Sequence, residues 1–197
     1  MKPPFKLGLT GSIAMGKSTT AALFAAANIP VWDADSTVHR LYAAGGAAVP
    51  PIAALFPQAL LNNAIDRPTL KSLIAADPAA LTHIESIVHP LVAADRARFL
   101  ADTDSDIVLL DIPLLFETGL DAQMDATLLV TAPPALQRAR ALSRPGMTAE
   151  HFETLNARQM PDAEKRKRAT HIVETLDRPS VAAYVAALLT HIRLDHA

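Results

Sequence analysis

The sequence predicts an α/β fold: a parallel sheet flanked by helices, with helical excursions. Three observations point there. Short, continuous apolar runs recur along the chain, at Leu7–Thr10, Ile107–Leu110 and Ala126–Thr131. Such runs mark strands buried on both faces. Segments with helical spacing separate them, and strands alternating with helices build a parallel sheet covered on both sides. A glycine-bracketed turn joins the first run directly to an alanine-rich segment without breakers.

In chain order, Leu7–Thr10 reads as a buried strand and Ser18–Ala27 as a helix, which Asn28 and Pro30 end. Val31 and Trp32 form a second short strand, closed by Asp33-Ala34-Asp35. From Ser36 to about Leu100 the pattern turns to helices punctuated by proline, at Thr37–Ala43, Val49–Phe56, Arg67–Ala75 and Pro78–Leu100. The last has apolar residues at Leu81, Ile84, Ile87, Val88 and Leu91, and Pro90 is expected to kink it. Ile107–Leu110, ending in Asp111, reads as a central strand, and Ala126–Thr131 as another. Pro133–Leu142 begins on proline, which suits the first turn of a helix. Arg144–Arg168 is charged and broken by Pro145-Gly146 and Pro161, the pattern of a mobile helical flap. His171–Glu174 is a last strand and Pro179–Leu194 a closing helix. The organisation expected is one domain: a core of residues 1–35, 101–136 and 161–197, a helical insert of 36–100, and a lid of 137–160.

Composition narrows the function. Half of the 197 residues are hydrophobic, 19% are charged and the net charge is −2. Disorder does not fit that balance, nor does a protein that neutralises many nucleic-acid phosphates. Cysteine is absent, which removes disulfides, thiolate metal sites and thiol nucleophiles together. No signal-peptide core follows the N-terminus and no run of eighteen apolar residues occurs, so a cytoplasmic protein without membrane contact is expected.

The chemistry begins at Gly11. Gly11-Ser12-Ile13-Ala14-Met15-Gly16-Lys17-Ser18 fits G-x-x-x-x-G-K-[ST] in full. A triphosphate needs backbone N–H groups converging on its oxygens, hence a tight loop free of obstructing side chains. The helix that follows adds the positive end of its dipole. Lys17 then reaches the β- and γ-phosphates, and the Ser18 hydroxyl ligates Mg²⁺. Four fixed positions match by chance in on the order of one such chain in a hundred at average glycine content, and here the motif also sits between a strand and a helix. The predicted fold is thus of the P-loop nucleoside triphosphate hydrolase type. The guanine-reading Asn-Lys-x-Asp is absent, which counts against a GTPase; the loop itself does not name the acceptor.

Transfer to a hydroxyl needs a carboxylate near the acceptor oxygen, a metal, and cations over the moving group. Asp33 and Asp35 follow the second strand, where α/β sheets bind ligands. Asp33 is a candidate base and either is a candidate metal-shell ligand; the plainer alternative is a helix cap. Asp111 ends an apolar run, a costly place for a charge that does not point into a site. Arg140 and Arg144, four apart, share a helix face and either clamp phosphate or, with Arg138, form a solvated basic face. Lys165-Arg166-Lys167-Arg168 reads as a solvated helix face. None of the seven histidines forms a His-x-x-x-His pair, and His39 and His89 read by default as surface or satisfied residues.

Taken together, these segments resemble the dephospho-coenzyme A kinase family over nearly the whole chain. The resemblance rests on Gly8-Leu9-Thr10-Gly11 with Gly16-Lys17-Ser18-Thr19, Asp33-Ala34-Asp35 with Val38-His39, Asp66-Arg67, Asp77-Pro78 and His89-Pro90-Leu91-Val92. It continues through Asp111-Ile112-Pro113-Leu114-Leu115-Phe116-Glu117, Arg140 with Arg144, and Gln159-Met160-Pro161. It implies ATP-dependent phosphorylation of the ribose 3′-hydroxyl of dephospho-coenzyme A, giving coenzyme A and ADP. By carry-over, Asp33, Lys17 and Arg140 are catalytic. Gly11, Ala14, Met15, Gly16, Lys17, Ser18, Thr19 and Arg144 bind ATP, and Ser18 and Asp111 hold Mg²⁺. Asp33, Asp35, His89, Pro113 and Leu114 contact the acceptor, which the insert holds, while the lid brings Arg140 and Arg144 over the phosphates. Ser12 and Ala14 stand where the family usually has glycine, and Pro57, Thr170 and Glu174-Thr175 also depart from its pattern. The last two sites are expected to affect packing around adenine. Another small-molecule or nucleotide kinase, and a nucleotide-controlled switch acting on a protein partner, are the rival readings. Oligomeric state is not legible.

Overall fold

Ile107–Asp111 and Ala126–Thr131 are buried along their whole lengths, as strands enclosed on both faces must be. In the computed structural model, which describes residues 3–196, they flank β1 (Phe5–Thr10). With β2 (Val31–Asp33), β5 (Ile107–Asp111), β6 (Ala126–Thr131) and β7 (His171–Glu174), it forms a five-stranded sheet in the order β2-β5-β1-β6-β7. β1 runs parallel to both neighbours, Leu9 lying opposite Asp111 on one side and Leu128 on the other. β6 and β7 are also parallel. The chain divides into two units, Met1–Trp32 with Thr103–Ala197, and Asp33–Asp102.

In the first unit, alternation along the strands sends Leu7, Leu9, Ile107, Leu109, Leu128 and Val130 to one face. There they meet Phe24 of α1 (Lys17–Ala26) and Val181, Val185, Leu188 and Ile192 of α9 (Arg178–Asp195). Burial of each such side chain contributes about 1.5–3 kcal/mol before the entropy of ordering it. Asp177 caps α9 by accepting the Ser180 N–H at 2.8 Å. Between β6 and β7 run α6 (Pro134–Leu142), α7 (Ala149–Ala157) and α8 (Asp162–Arg168).

The second unit holds α2 (Ala34–Tyr42), α3 (Val49–Leu55), α4 (Arg67–Ala76) and α5 (Ala79–Ala101) around Ile52, Ile65, Leu70, Ile84 and Val88. α5 continues through Pro90. Arg40 of α2 and Asp95 of α5 are tied at 3.0 Å, with the buried Thr37 hydroxyl donating to the same carboxylate oxygen at 3.1 Å. A hairpin that the sequence reading did not include, β3 (Leu60–Leu61) with β4 (Ala64–Ile65), turns on Asn62-Asn63. Both asparagines have positive φ, 51° and 60°, the geometry of a type I′ turn.

Arg166, Lys167 and Arg168 are exposed, as expected of a solvated face at 165–168, but Lys165 is a correction. Lys165 is fully buried and lies 2.9 Å from Glu117 Oε1. Arg168 donates to the Phe116 carbonyl and to both oxygens of Asp121. Only Lys167 of the four is strongly exposed, paired with Glu164. A short helix uses a long cation to reach a half-buried carboxylate, and composition alone does not distinguish that from a wet surface.

Candidate active site

The glycine-bracketed loop folds because two close approaches leave no room for side chains. A Cβ on Gly11 would stand 2.7 Å from the Val130 carbonyl oxygen and 2.3 Å from its side chain. Gly16 precedes α1 at φ +91°, a left-handed conformation that glycine adopts without strain. Gly11→Ala is therefore expected to destabilise the protein by about 1–3 kcal/mol, since the backbone of β6 cannot yield. Thermal unfolding alongside ADP affinity measures it; an unchanged melting temperature would refute the steric argument.

Between the glycines, Ile13, Ala14 and Met15 are held from outside the loop. Ile13 donates its N–H to Gln159 Oε1 at 2.9 Å and accepts Gln137 Nε2 at 2.9 Å. Ala14 takes φ +61°, so an alanine occupies the left-handed conformation directly, and its methyl packs beside Ala141 and Phe152. Met15 sends its side chain into the core, where Sδ accepts the Ala132 N–H. Ser18 and Thr19 are exposed on the first turn of α1.

Lys17 forms an ion pair with Asp111 Oδ1, and the aspartate side chain is only 2% exposed. Adjacent strands make this meeting: Asp111 closes β5 beside β1, which feeds the loop. A buried carboxylate at that place is compensated by the lysine cation. Thr10 donates to the Pro113 carbonyl at 3.0 Å, tying β1 to the segment after Asp111, where Leu114 is 43% exposed. At its end Glu117 accepts the Met160 N–H at 2.9 Å. Burial pushes the Glu117 carboxyl up, but the Lys165 cation and the Met160 N–H outweigh it, and the net shift is downward.

Arg140 lies half-buried on α6 and donates NH1 to the Thr175 hydroxyl at 2.9 Å and NH2 to the Thr175 carbonyl at 2.6 Å. Arg144 is exposed just beyond α6. In the second unit Asp33 caps α2, with Oδ1 accepting the Ser36 N–H at 2.6 Å, so the cap considered from sequence is present. Asp35 is exposed on the first turn of α2, and His89 is exposed on α5.

A glycine-bracketed loop leads into α1 with a lysine–aspartate pair beside it, and residues 5–177 match the family model for dephospho-CoA kinase. The chain belongs to the dephospho-CoA kinase family. A dephospho-CoA kinase of Cereibacter sphaeroides is 66% identical over 190 residues, 96% of each chain. One of Ruegeria pomeroyi is 52% identical over 189 residues, again 96% of each. A crystal structure of a Thermus thermophilus protein superposes with a TM-score of 0.87 at 36% identity, covering 96% of this chain and 98% of that one. The dephospho-CoA kinase of Campylobacter jejuni shares the fold, with a TM-score of 0.72 at 21% identity over 98% of both chains.

Within this dephospho-CoA kinase family member, the sequence reading missed the outer supports of the loop. Gln137 and Thr175 are buried, and Gln159 entered only as part of a family motif. Thr175 donates its hydroxyl to the Met15 carbonyl at 2.8 Å. These contacts join residues more than a hundred positions apart, and no local pattern announces them. One signal was available: a buried glutamine on a helix needs polar partners.

Proposed function

We propose that this chain transfers the γ-phosphoryl group of ATP to the ribose 3′-hydroxyl of dephospho-coenzyme A, giving coenzyme A and ADP. The observation that carries the reading is the phosphate loop with Lys17 paired to buried Asp111, in a chain of this family. Arriving phosphates take Lys17 from Asp111 onto the β- and γ-oxygens, while the loop amides and the first turn of α1 hold the same charge. Gly11, Ala14, Met15, Gly16, Ser18 and Thr19 line that cradle.

Asp111 and the Ser18 hydroxyl offer hard oxygen donors, and one carboxylate with a hydroxyl and phosphate oxygens is a donor set that suits Mg²⁺. When bound there, Mg²⁺ supplies neutralisation of phosphate charge. Asp33 accepts the proton of the 3′-hydroxyl as its oxygen attacks the γ-phosphorus and the bond to the β-phosphate oxygen breaks. Arg140 and Arg144 add cationic charge beside the loop, and Asp35, His89, Pro113 and Leu114 are the acceptor contacts. The segment 137–160 excludes water that would otherwise hydrolyse ATP. We place the reaction in the cytoplasm; among the described residues no helix is long and apolar enough to cross a membrane.

The test is ADP release from the purified protein with Mg²⁺-ATP, with and without dephospho-coenzyme A, and mass spectrometry of the products. Acceptor-dependent ADP matched one for one by coenzyme A is expected. ADP formed without coenzyme A would overturn the acceptor and send the search to nucleoside monophosphates, then to protein partners.

A further inference from the structure

We infer that Thr175, backed by Arg140, is a positioning residue that orients the Met15–Gly16 peptide of the phosphate loop for triphosphate binding; the inference rests on the proposed role of that loop. Thr175 is only 6% exposed and follows β7 directly. Its hydroxyl lies 2.8 Å from the Met15 carbonyl, 3.2 Å from the Thr131 carbonyl and 2.9 Å from Arg140 NH1. A guanidinium can only donate, so the hydroxyl accepts from Arg140 and its single hydrogen must go to a carbonyl. The Met15 carbonyl is the nearer of the two. The second arm of Arg140, on the Thr175 carbonyl at 2.6 Å, fixes the residue's backbone as well.

The consequence runs through one peptide plane. No cis peptide occurs among the described residues, and in a trans peptide C=O and N–H point in opposite directions. Holding the Met15 carbonyl toward Thr175 therefore aims the Gly16 N–H away from it. Thr175 also forms the wall behind Gly16: a Cβ at residue 16 would meet Thr175 Oγ1 at 2.9 Å and its Cβ at 3.1 Å. Glycine at 16 and threonine at 175 are thus a matched pair, and the hydroxyl sets a donor direction that the loop alone leaves free. Thr131 completes the enclosure, since its carbonyl also accepts the Thr175 N–H at 2.8 Å.

Thr175→Val keeps the shape and removes the hydroxyl; Thr175→Ser keeps the hydroxyl and removes the methyl. Calorimetry with Mg²⁺-ADP reads the loop without any acceptor, so its result stands even if dephospho-coenzyme A proves to be the wrong substrate. The valine variant is expected to bind ADP about tenfold more weakly, the loss of one buried hydrogen bond, and the serine variant within about twofold of the parent. In turnover the KM for ATP rises in the valine variant while the KM for the acceptor stays unchanged. A role confined to stability would lower the melting temperature of both variants without moving ADP affinity selectively. Valine binding ADP as the parent does overturns the inference, as does serine binding as weakly as valine. Should the valine variant not fold, Thr175→Ala against Thr175→Ser gives the same comparison, with the same outcomes for and against.

Discussion

Asp33→Asn is expected to lower kcat by about 10²–10⁴-fold, the usual contribution of a general base, with ADP affinity and melting temperature close to those of the parent. The substitution suits the question because of what Asp33 does structurally. It ends β2 and begins the turn into α2, and Oδ1 caps that helix through the Ser36 N–H at 2.6 Å. Asparagine caps a helix about as well as aspartate, so the fold keeps its contact while the acceptor for the proton disappears. Asp33→Ala would confuse the two, since loss of the cap costs about 1 kcal/mol by itself. The cap leaves the second carboxylate oxygen for chemistry. Single-turnover measurement of coenzyme A formation with saturating ATP separates the chemical step from product release. Turnover near normal in the asparagine variant would remove Asp33 from the role of base, and Asp35 would be the next carboxylate to test.

What could be read from sequence, and what could not, follows the range of the interactions. β6 at 126–131 and β7 at 171–174 have the bounds expected of them, because an apolar run between turn residues is a local signal. The phosphate loop was legible for the same reason: its glycines, lysine and serine lie within eight consecutive residues. Asp111 was found by the oddity of a charge after a buried strand, which is again local. The hairpin at 60–65 was missed although Asn62-Asn63 between apolar pairs offered a cue, since asparagine tolerates positive φ. Gln137, Gln159 and Thr175 were not legible as loop supports. Each acts across a separation of 124 to 160 residues, on the backbone of Ile13 or Met15. A backbone partner carries no side-chain identity for the sequence to display.

Lys165 is where local reading and tertiary structure part most sharply, and its loss is expected to be strongly destabilising. Lys165 is fully buried on α8, its ammonium 2.9 Å from Glu117 Oε1. Removing one member of a buried pair costs about 3–5 kcal/mol because the other charge is left uncompensated. The lower end applies here, since Glu117 keeps 18% of its side-chain surface in solvent. At about 2–4 °C per kcal/mol for a domain of this size, Lys165→Met should melt roughly 6–12 °C below the parent at pH 7. The pH dependence separates this from a packing defect. In the parent, burial raises the Glu117 pKa but Lys165 and the Met160 N–H lower it further, so it lies below the ordinary 4.5. A carboxyl whose folded pKa is depressed adds stability above its unfolded pKa and loses it as pH falls through the folded value. Without the cation, the folded pKa of Glu117 rises, because the Lys165 contributions that oppose burial are gone. The variant then loses less stability on protonation than the parent does, so the gap in melting temperature should narrow between pH 7 and pH values below about 4.5. A gap that stays constant across that range would mean that Lys165 acts through packing of its aliphatic stem, and that its charge does not hold Glu117.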